Sequence, residues 1–138
     1  MSIQQTYVDD NGNDPIAIVV LNRHNEYRMK HGVPIVTLSP QHCSETSSLS
    51  HRPNNPYGEN LAYTYNHDFT ITTIAKNGVD VWYNEIQNYT FGTEKVQYDA
   101  LHFTQIVWKE GGVFMVCNYN PPGNIENEFS WNVFKPII

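Results

Sequence analysis

The sequence predicts a single α+β domain. Three observations carry that prediction: an amphipathic helical stripe near the N-terminus, a second in the middle of the chain, and a short β-branched and aromatic run near the C-terminus bounded by Gly-Gly and Pro-Pro-Gly. A length of 138 residues fits one domain of ordinary size. Hydrophobic residues at 40% and aromatics at 13% exclude a disordered chain. Residues 1–13, rich in Gln, Asn and Asp, read as a flexible arm, and residues 14–138 as the domain.

The elements follow in order. Asp14-Pro15 starts a helix, with a capping carboxylate and then proline where its missing N–H costs nothing. The helix runs to about His31, and Gly32 and Pro34 stop it. Ile16, Val20 and Leu21 share a face with His24 and Arg28, while Glu26 and Lys30 form an exposed i,i+4 pair. His24 and His31, seven apart, fall on one face in the manner of surface histidines. Residues 39–60 are polar and proline-rich, a loop long enough to suggest function, with at most a helical turn around Glu45–Leu49.

Asp68 reads as the next N-cap, and Phe69 to about Tyr89 as the second helix. Its stripe is Ile71, Ile74, Ala75, Gly78, Trp82, Ile86 and Tyr89, with Asn77-Gly78 the place for a break. A loop covers Phe91–Ala100. His102–Trp108 fits either period: as a strand, His102, Thr104, Ile106 and Trp108 share a face; as a helix, His102 and Ile106 do. Val113–Tyr119 reads as one strand, and Trp131 and Phe134 as the residues that dock the tail.

A net charge of −6 argues against a nucleic-acid partner, which needs a basic face, and against a polybasic membrane anchor. The longest early apolar run, Ile16–Leu21, is six residues, too short to span a bilayer, so no transmembrane segment is expected. The start is polar and acidic, unlike a signal peptide, and no glycine follows Met1, so the myristoylation pattern is absent. Asn88-Tyr89-Thr90 is a glycosylation sequon. Two cysteines, Cys43 and Cys117, do not make a disulfide framework, and the sequence leaves open whether they pair.

Glu85 is the most informative single residue. It lies on the apolar stripe three residues after Trp82, and a carboxylate there must be solvated, paired or protonated. His102 precedes an apolar run; Glu59 follows Gly58, which permits close backbone approach; His51 lies eight residues before Glu59. HExxH, CxxC, GxSxG, GxxxxGK[ST] and GxGxxG are all absent. Nothing around Cys43 suggests an activated thiol, and no catalytic nucleophile is assigned.

Several separated segments together resemble the CAP superfamily of cysteine-rich secretory, antigen five and plant pathogenesis-related class 1 proteins. His24–Arg28 (HNEYR) resembles its HNxxR helix motif, and Gly58–Ala62 (GENLA) its GEN motif. His102–Lys109 (HFTQIVWK) resembles the first signature, Phe114–Ile125 (FMVCNYNPPGNI) the second, and Trp82–Tyr89 (WYNEIQNY) the helix that carries a glutamate. The order matches, and the resemblance covers about residues 15–136. The absence of a signal peptide and the scarcity of cysteine are closest to the Golgi-associated plant-pathogenesis-related branch, although that branch is typically myristoylated.

The resemblance implies a three-layer α/β/α sandwich with a central antiparallel sheet. Relative to the family, the stretches Leu38–His51 and Trp108–Cys117 are short, which implies loss of part of one helix and of one strand. It also implies a cleft holding His51, Glu59, Glu85 and His102, in which His51 and His102 can bind zinc or another divalent cation. The functional expectation is a binding protein for a lipid (sterol or fatty acid) or for protein partners, a second copy of the chain included, and not an efficient enzyme. Two alternatives stand beside it: a metal-assisted hydrolase using the four-residue cleft, and an interaction protein with a decayed site. The family-level location is extracellular; the chain read literally leaves a cytosolic or membrane-peripheral place as the alternative.

Overall fold

The computed structural model describes residues 15–37, 53–54, 56, 58–61, 70–110, 113–114, 118–119 and 122–137. The predicted arm, Asp14, Cys43, the turn around Glu45–Leu49, His51, Asp68 and Cys117 lie outside them.

Helix α1 spans Pro15–Lys30 and buries Ala17, His24, Tyr27 and Arg28. Gly32 closes it at φ +66°, the left-handed conformation that favours glycine, and the amides of Gly32 and Val33 bond back to Met29 and Arg28. Two expectations for this helix are corrected. His24 and His31 are not a pair of surface histidines: His24 is buried on the face it shares with Arg28, and His31, just past the helix, is buried as well. Glu26 pairs with Arg23, not with Lys30, because the Arg23 guanidinium reaches both Glu26 and Asp80. The Lys30 ammonium instead sits 5.2 Å from the Tyr27 ring centroid and 6.0 Å from that of Tyr83.

Helix α2 spans Ile71–Asn84. Thr70, not Asp68, is its N-cap, its hydroxyl accepting the Thr73 amide. The helix passes through Asn77-Gly78 unbroken. Val79 is fully buried and Trp82 nearly so, and this packing offsets the roughly 1 kcal/mol that glycine costs inside a helix. α2 then tightens into a 3-10 turn over Glu85–Asn88. It lies against α1 through a stacked Tyr27–Tyr83 pair, centroids 3.5 Å apart. Tyr27 also donates to Asp80 at 2.9 Å and accepts from Arg23 at 2.8 Å.

After a second 3-10 turn (Tyr98–Ala100), helix α3 covers Leu101–Val107, which settles the ambiguous segment as helix. Phe103 to Val107 are all buried, so α3 is the centre of the core rather than an amphipathic surface helix. Three two-residue strands follow the order β1-β3-β2: β1 Gly58–Glu59, β2 Val113–Phe114 and β3 Asn118–Tyr119. Val113 pairs with Tyr119 and Phe114 with Asn118, antiparallel. The predicted single strand is thus a reversal, because antiparallel partners four to six residues apart require the chain to turn back between them. β1 pairs with β3 through Gly58–Tyr119 and Glu59–Asn118. The described residues are mainly helical, with this short ladder joining the GEN segment to the C-terminal third.

A one-turn helix α4, Phe129–Asn132, completes the fold. Phe129 and Val133 dock it, whereas Trp131 is 75% exposed. The expectation for Trp131 fails because positions 129, 132 and 133 share the inward side of the turn and 131 does not. Phe134 contributes its backbone: its carbonyl accepts from His31 Nδ1 at 2.5 Å.

Burial holds His24 and His31 neutral. His24 Nδ1 donates to the Val20 carbonyl, and desolvation pushes its pKa down to about 4; His31 is lowered for the same reason. Unfolded, each takes up a proton near 6.5. Stability is therefore full above pH 6.5 and falls as pH drops toward 4, with His24 alone contributing up to about 3 kcal/mol. Urea midpoints should decline steadily between pH 6.5 and 4, and His24→Leu should flatten the slope. A pH-independent midpoint over that window would contradict the burial of these rings.

Candidate functional site

A seven-residue helix has little stability of its own, and its terminal amides and carbonyls need partners from elsewhere. Ala100, the residue at the N-cap of α3, supplies no side-chain bond. Glu85 does so from the turn that follows α2. Its Oε2 accepts the backbone N–H of His102 at 2.9 Å and of Phe103 at 3.3 Å. Its Oε1 accepts from the His102 ring Nδ1 at 2.7 Å. A carboxylate on the stripe of α2 is accounted for in this way: it caps the next helix. The negative charge also meets the positive end of the α3 dipole.

Arg28 answers at the other end. It is fully buried, and its guanidinium donates to the carbonyls of Ile106 at 2.8 Å, Trp108 at 2.7 Å and Lys109 at 3.1 Å, and to Pro34 at 2.7 Å. The first three are the carbonyls at the C-terminal end of α3 and just beyond it, while Pro34 lies in the segment after α1. The planar fork reaches several at once, which a lysine cannot do.

The His102 ring is consequently fixed. Nδ1 must carry the proton it gives to Glu85, so in the neutral ring Nε2 holds the lone pair. The His102 side chain is 36% exposed, and among the described residues Nε2 makes no hydrogen bond. Trp82 lies nearly parallel to the ring at 13°, with centroids 6.2 Å apart. Trp82 Nε1 donates to Leu61 O at 2.9 Å, and Asn60 Nδ2 donates to His102 O at 3.1 Å. Together these bonds place the GEN segment beside the start of α3.

Of the four predicted site residues, Glu85 and His102 are in direct contact. Glu59 is half-buried in β1, next to Asn60, which touches the His102 backbone. His51 lies outside the described residues. Among the described residues no three His, Cys, Asp or Glu side chains converge to hold a metal ion. The arrangement there offers one oriented, partly exposed imidazole nitrogen backed by a carboxylate.

Several residues that hold the site went unassigned in the sequence. The Asn25 side chain bonds both the amide and the carbonyl of Val36, fixing the turn after α1. Thr104 bonds the carbonyl of Ala100 and the side chain of Asn124. Asn124 in turn donates to Leu101 O at 3.0 Å. Gln105 accepts the Gly123 amide at 3.0 Å and lies so close to Gly58 and Gly123 that a Cβ on either would come within 2.7 Å of it. Their one signal was clustering inside short motifs, which carries no geometry.

Comparison with known proteins adds a second line. The sequence model of the cysteine-rich secretory protein (CAP) family matches residues 21–111. That stretch holds the HNEYR, GENLA and HFTQ segments and ends before the second signature at Phe114–Ile125. The chain is 38% identical to the human Golgi-associated plant pathogenesis-related protein 1, over 85% of this chain and 91% of that one. It is 39% identical to Protein PRY2 of Saccharomyces cerevisiae over 56% of this chain and 26% of that one. Identity to Pathogenesis-related protein 1 of Arabidopsis thaliana is 35%, over 53% of this chain and 50% of that protein. The chain thus spans nearly the whole human relative but half or less of the yeast and plant ones.

The capping role of Glu85 is directly measurable. Glu85→Ala strips two amides and a ring N–H of their acceptor and should cost about 1–3 kcal/mol in a urea melt, with the m-value unchanged. A wild-type midpoint in that variant would mean that α3 does not depend on Glu85.

Proposed function

The chain belongs to the CAP, or cysteine-rich secretory protein, family, and on that premise we propose that it is a binding module rather than an enzyme. It binds a divalent cation through His102 and His51 and recognises a lipid, a sterol or fatty acid, or a protein partner. One observation carries the cation reading: Glu85 fixes the His102 ring through Nδ1 and leaves Nε2 as the outward donor. Imidazole ligands are commonly anchored in this manner by a carboxylate behind the ring. A zinc ion held there would supply a compact positive charge for an anionic or carbonyl group of the ligand. In the same reading Glu59 lines the site, and the shortened stretches before His51 and after Trp108 are local losses from an otherwise ordinary CAP domain.

The hydrolase reading is weaker for a structural reason. A general base must be free to take a proton, and the Glu85 carboxylate is occupied by two backbone amides and the His102 ring. Glu85 acts on this account as a positioning group.

The secretory pathway or the cell exterior is the proposed location. The names of two relatives point there: the human protein is called Golgi-associated, and a Candida albicans relative 30% identical to this chain is called Secreted protein RBT4. Among the described residues no helix is long and apolar enough to cross a membrane.

Titration calorimetry with Zn²⁺ on the folded chain should give one site. His102→Ala should abolish it, and Glu85→Gln should weaken it about 10–100-fold. Zinc binding that is undetectable, or unchanged in His102→Ala, would leave the decayed-site alternative. Radiolabelled cholesterol and palmitate, offered to the same protein, should show saturable transfer of at least one; transfer of neither would remove the lipid half of the proposal.

A further inference from the structure

We infer that Asn88 is an N-glycan acceptor, and that its oligosaccharide stands beside the entrance to His102. Asn88-Tyr89-Thr90 is the single Asn-X-Ser/Thr triplet in the sequence, and X is not proline. The sequence pattern alone is weak, but the structure adds three observations. Asn88 and Thr90 are both exposed, while Tyr89 between them is 8% exposed and packs into the core. The triplet thus presents its acceptor and its hydroxyl outward from a firmly held backbone.

The backbone is held by contacts that a glycan does not disturb. Gln97 accepts the Thr90 amide at 2.7 Å and donates to the Thr90 carbonyl at 3.1 Å. Asn88 Nδ2 makes one described bond, to the Asp99 carbonyl at 3.2 Å. In the transfer, Nδ2 attacks the anomeric carbon of an oligosaccharide carried on a lipid diphosphate. The C–N bond forms, the C–O bond to the diphosphate breaks, the diphosphate leaves, and one of the two amide protons is lost. The remaining N–H can still serve Asp99, so the product needs no refolding.

The same turn defines where the sugar goes. Glu85 and Asn88 are three residues apart in a 3-10 helix, which has three residues per turn, so their side chains lie on one face. Both bond to the junction that opens α3: Glu85 to the amides of His102 and Phe103, Asn88 to the Asp99 carbonyl. A glycan on Asn88 therefore projects next to the exposed edge of His102 and shields that approach from large partners.

The inference rests on the secretory placement proposed above, because the lipid-linked donor is lumenal. The full chain is expressed in a eukaryotic cell behind a cleavable leader, captured from lysate and medium, and its mass read before and after peptide-N-glycosidase. One glycan is expected, absent from both Asn88→Gln and Thr90→Ala. Thr90→Ala keeps Asn88, its bond to Asp99 and the backbone bonds to Gln97, so it separates loss of the sugar from loss of the fold. An unglycosylated wild type, or a glycan that survives Thr90→Ala, overturns the assignment. Fractionation of cells expressing the chain without the leader tests the placement separately: a cytosolic chain contradicts the placement, and the leader-bearing protein still decides Asn88.

Discussion

Helix α3 is held from both ends by charges of opposite sign. Glu85 meets its N-terminal amides and Arg28 its C-terminal carbonyls. Both charges are oriented as the helix dipole favours. Arg28 is fully buried, and carbonyl partners that include Ile106, Trp108, Lys109 and Pro34 make that tolerable, since an unsolvated guanidinium in the core would be prohibitive. α1 supplies the cation and the end of α2 the anion, so the two long helices cannot move apart without uncapping the third. The position of His102 is a consequence of this clamp.

The fold and the site are consequently one network. Asn60 ties the GEN segment to the His102 carbonyl; Thr104 and Gln105 tie α3 to Asn124 and Gly123. Thr104 and Gln105 are buried polar residues within the fully buried stretch Phe103–Val107, and each requires its partner in place. Such interlocking makes short motifs far apart in the sequence depend on one another. A change in one leaves a buried donor or acceptor unpaired in another.

The helices were legible because their signals are local. Pro15 and Gly32 bound α1, and a repeat of apolar residues marks α2 and the 3-10 turn that follows it to Tyr89. Glu85 was legible as an anomaly on that repeat, but its partner amides lie seventeen and eighteen residues away, and no periodicity shows that. α3 was ambiguous because its residues from Phe103 on are buried on every side, and the contrast between faces that distinguishes helix from strand is missing. Trp131 misled because a large apolar side chain in a one-turn helix faces inward or outward by register alone, and short segments fix register poorly. The pairing of His24 with His31 in the manner of surface histidines misled for a related reason: their burial depends on Trp82, Tyr83 and the Phe134 carbonyl, all distant in sequence.

The central claim is that Glu85 sets the protonation pattern of His102 through Nδ1. Nitrogen-15 chemical shifts of the histidine rings, recorded near neutral pH in the metal-free protein, read that pattern atom by atom. The account predicts a His102 ring protonated at Nδ1 with a free Nε2 lone pair, and loss of that pattern in Glu85→Ala. A ring carrying its proton on Nε2, or a tautomer mixture indifferent to Glu85, would contradict it.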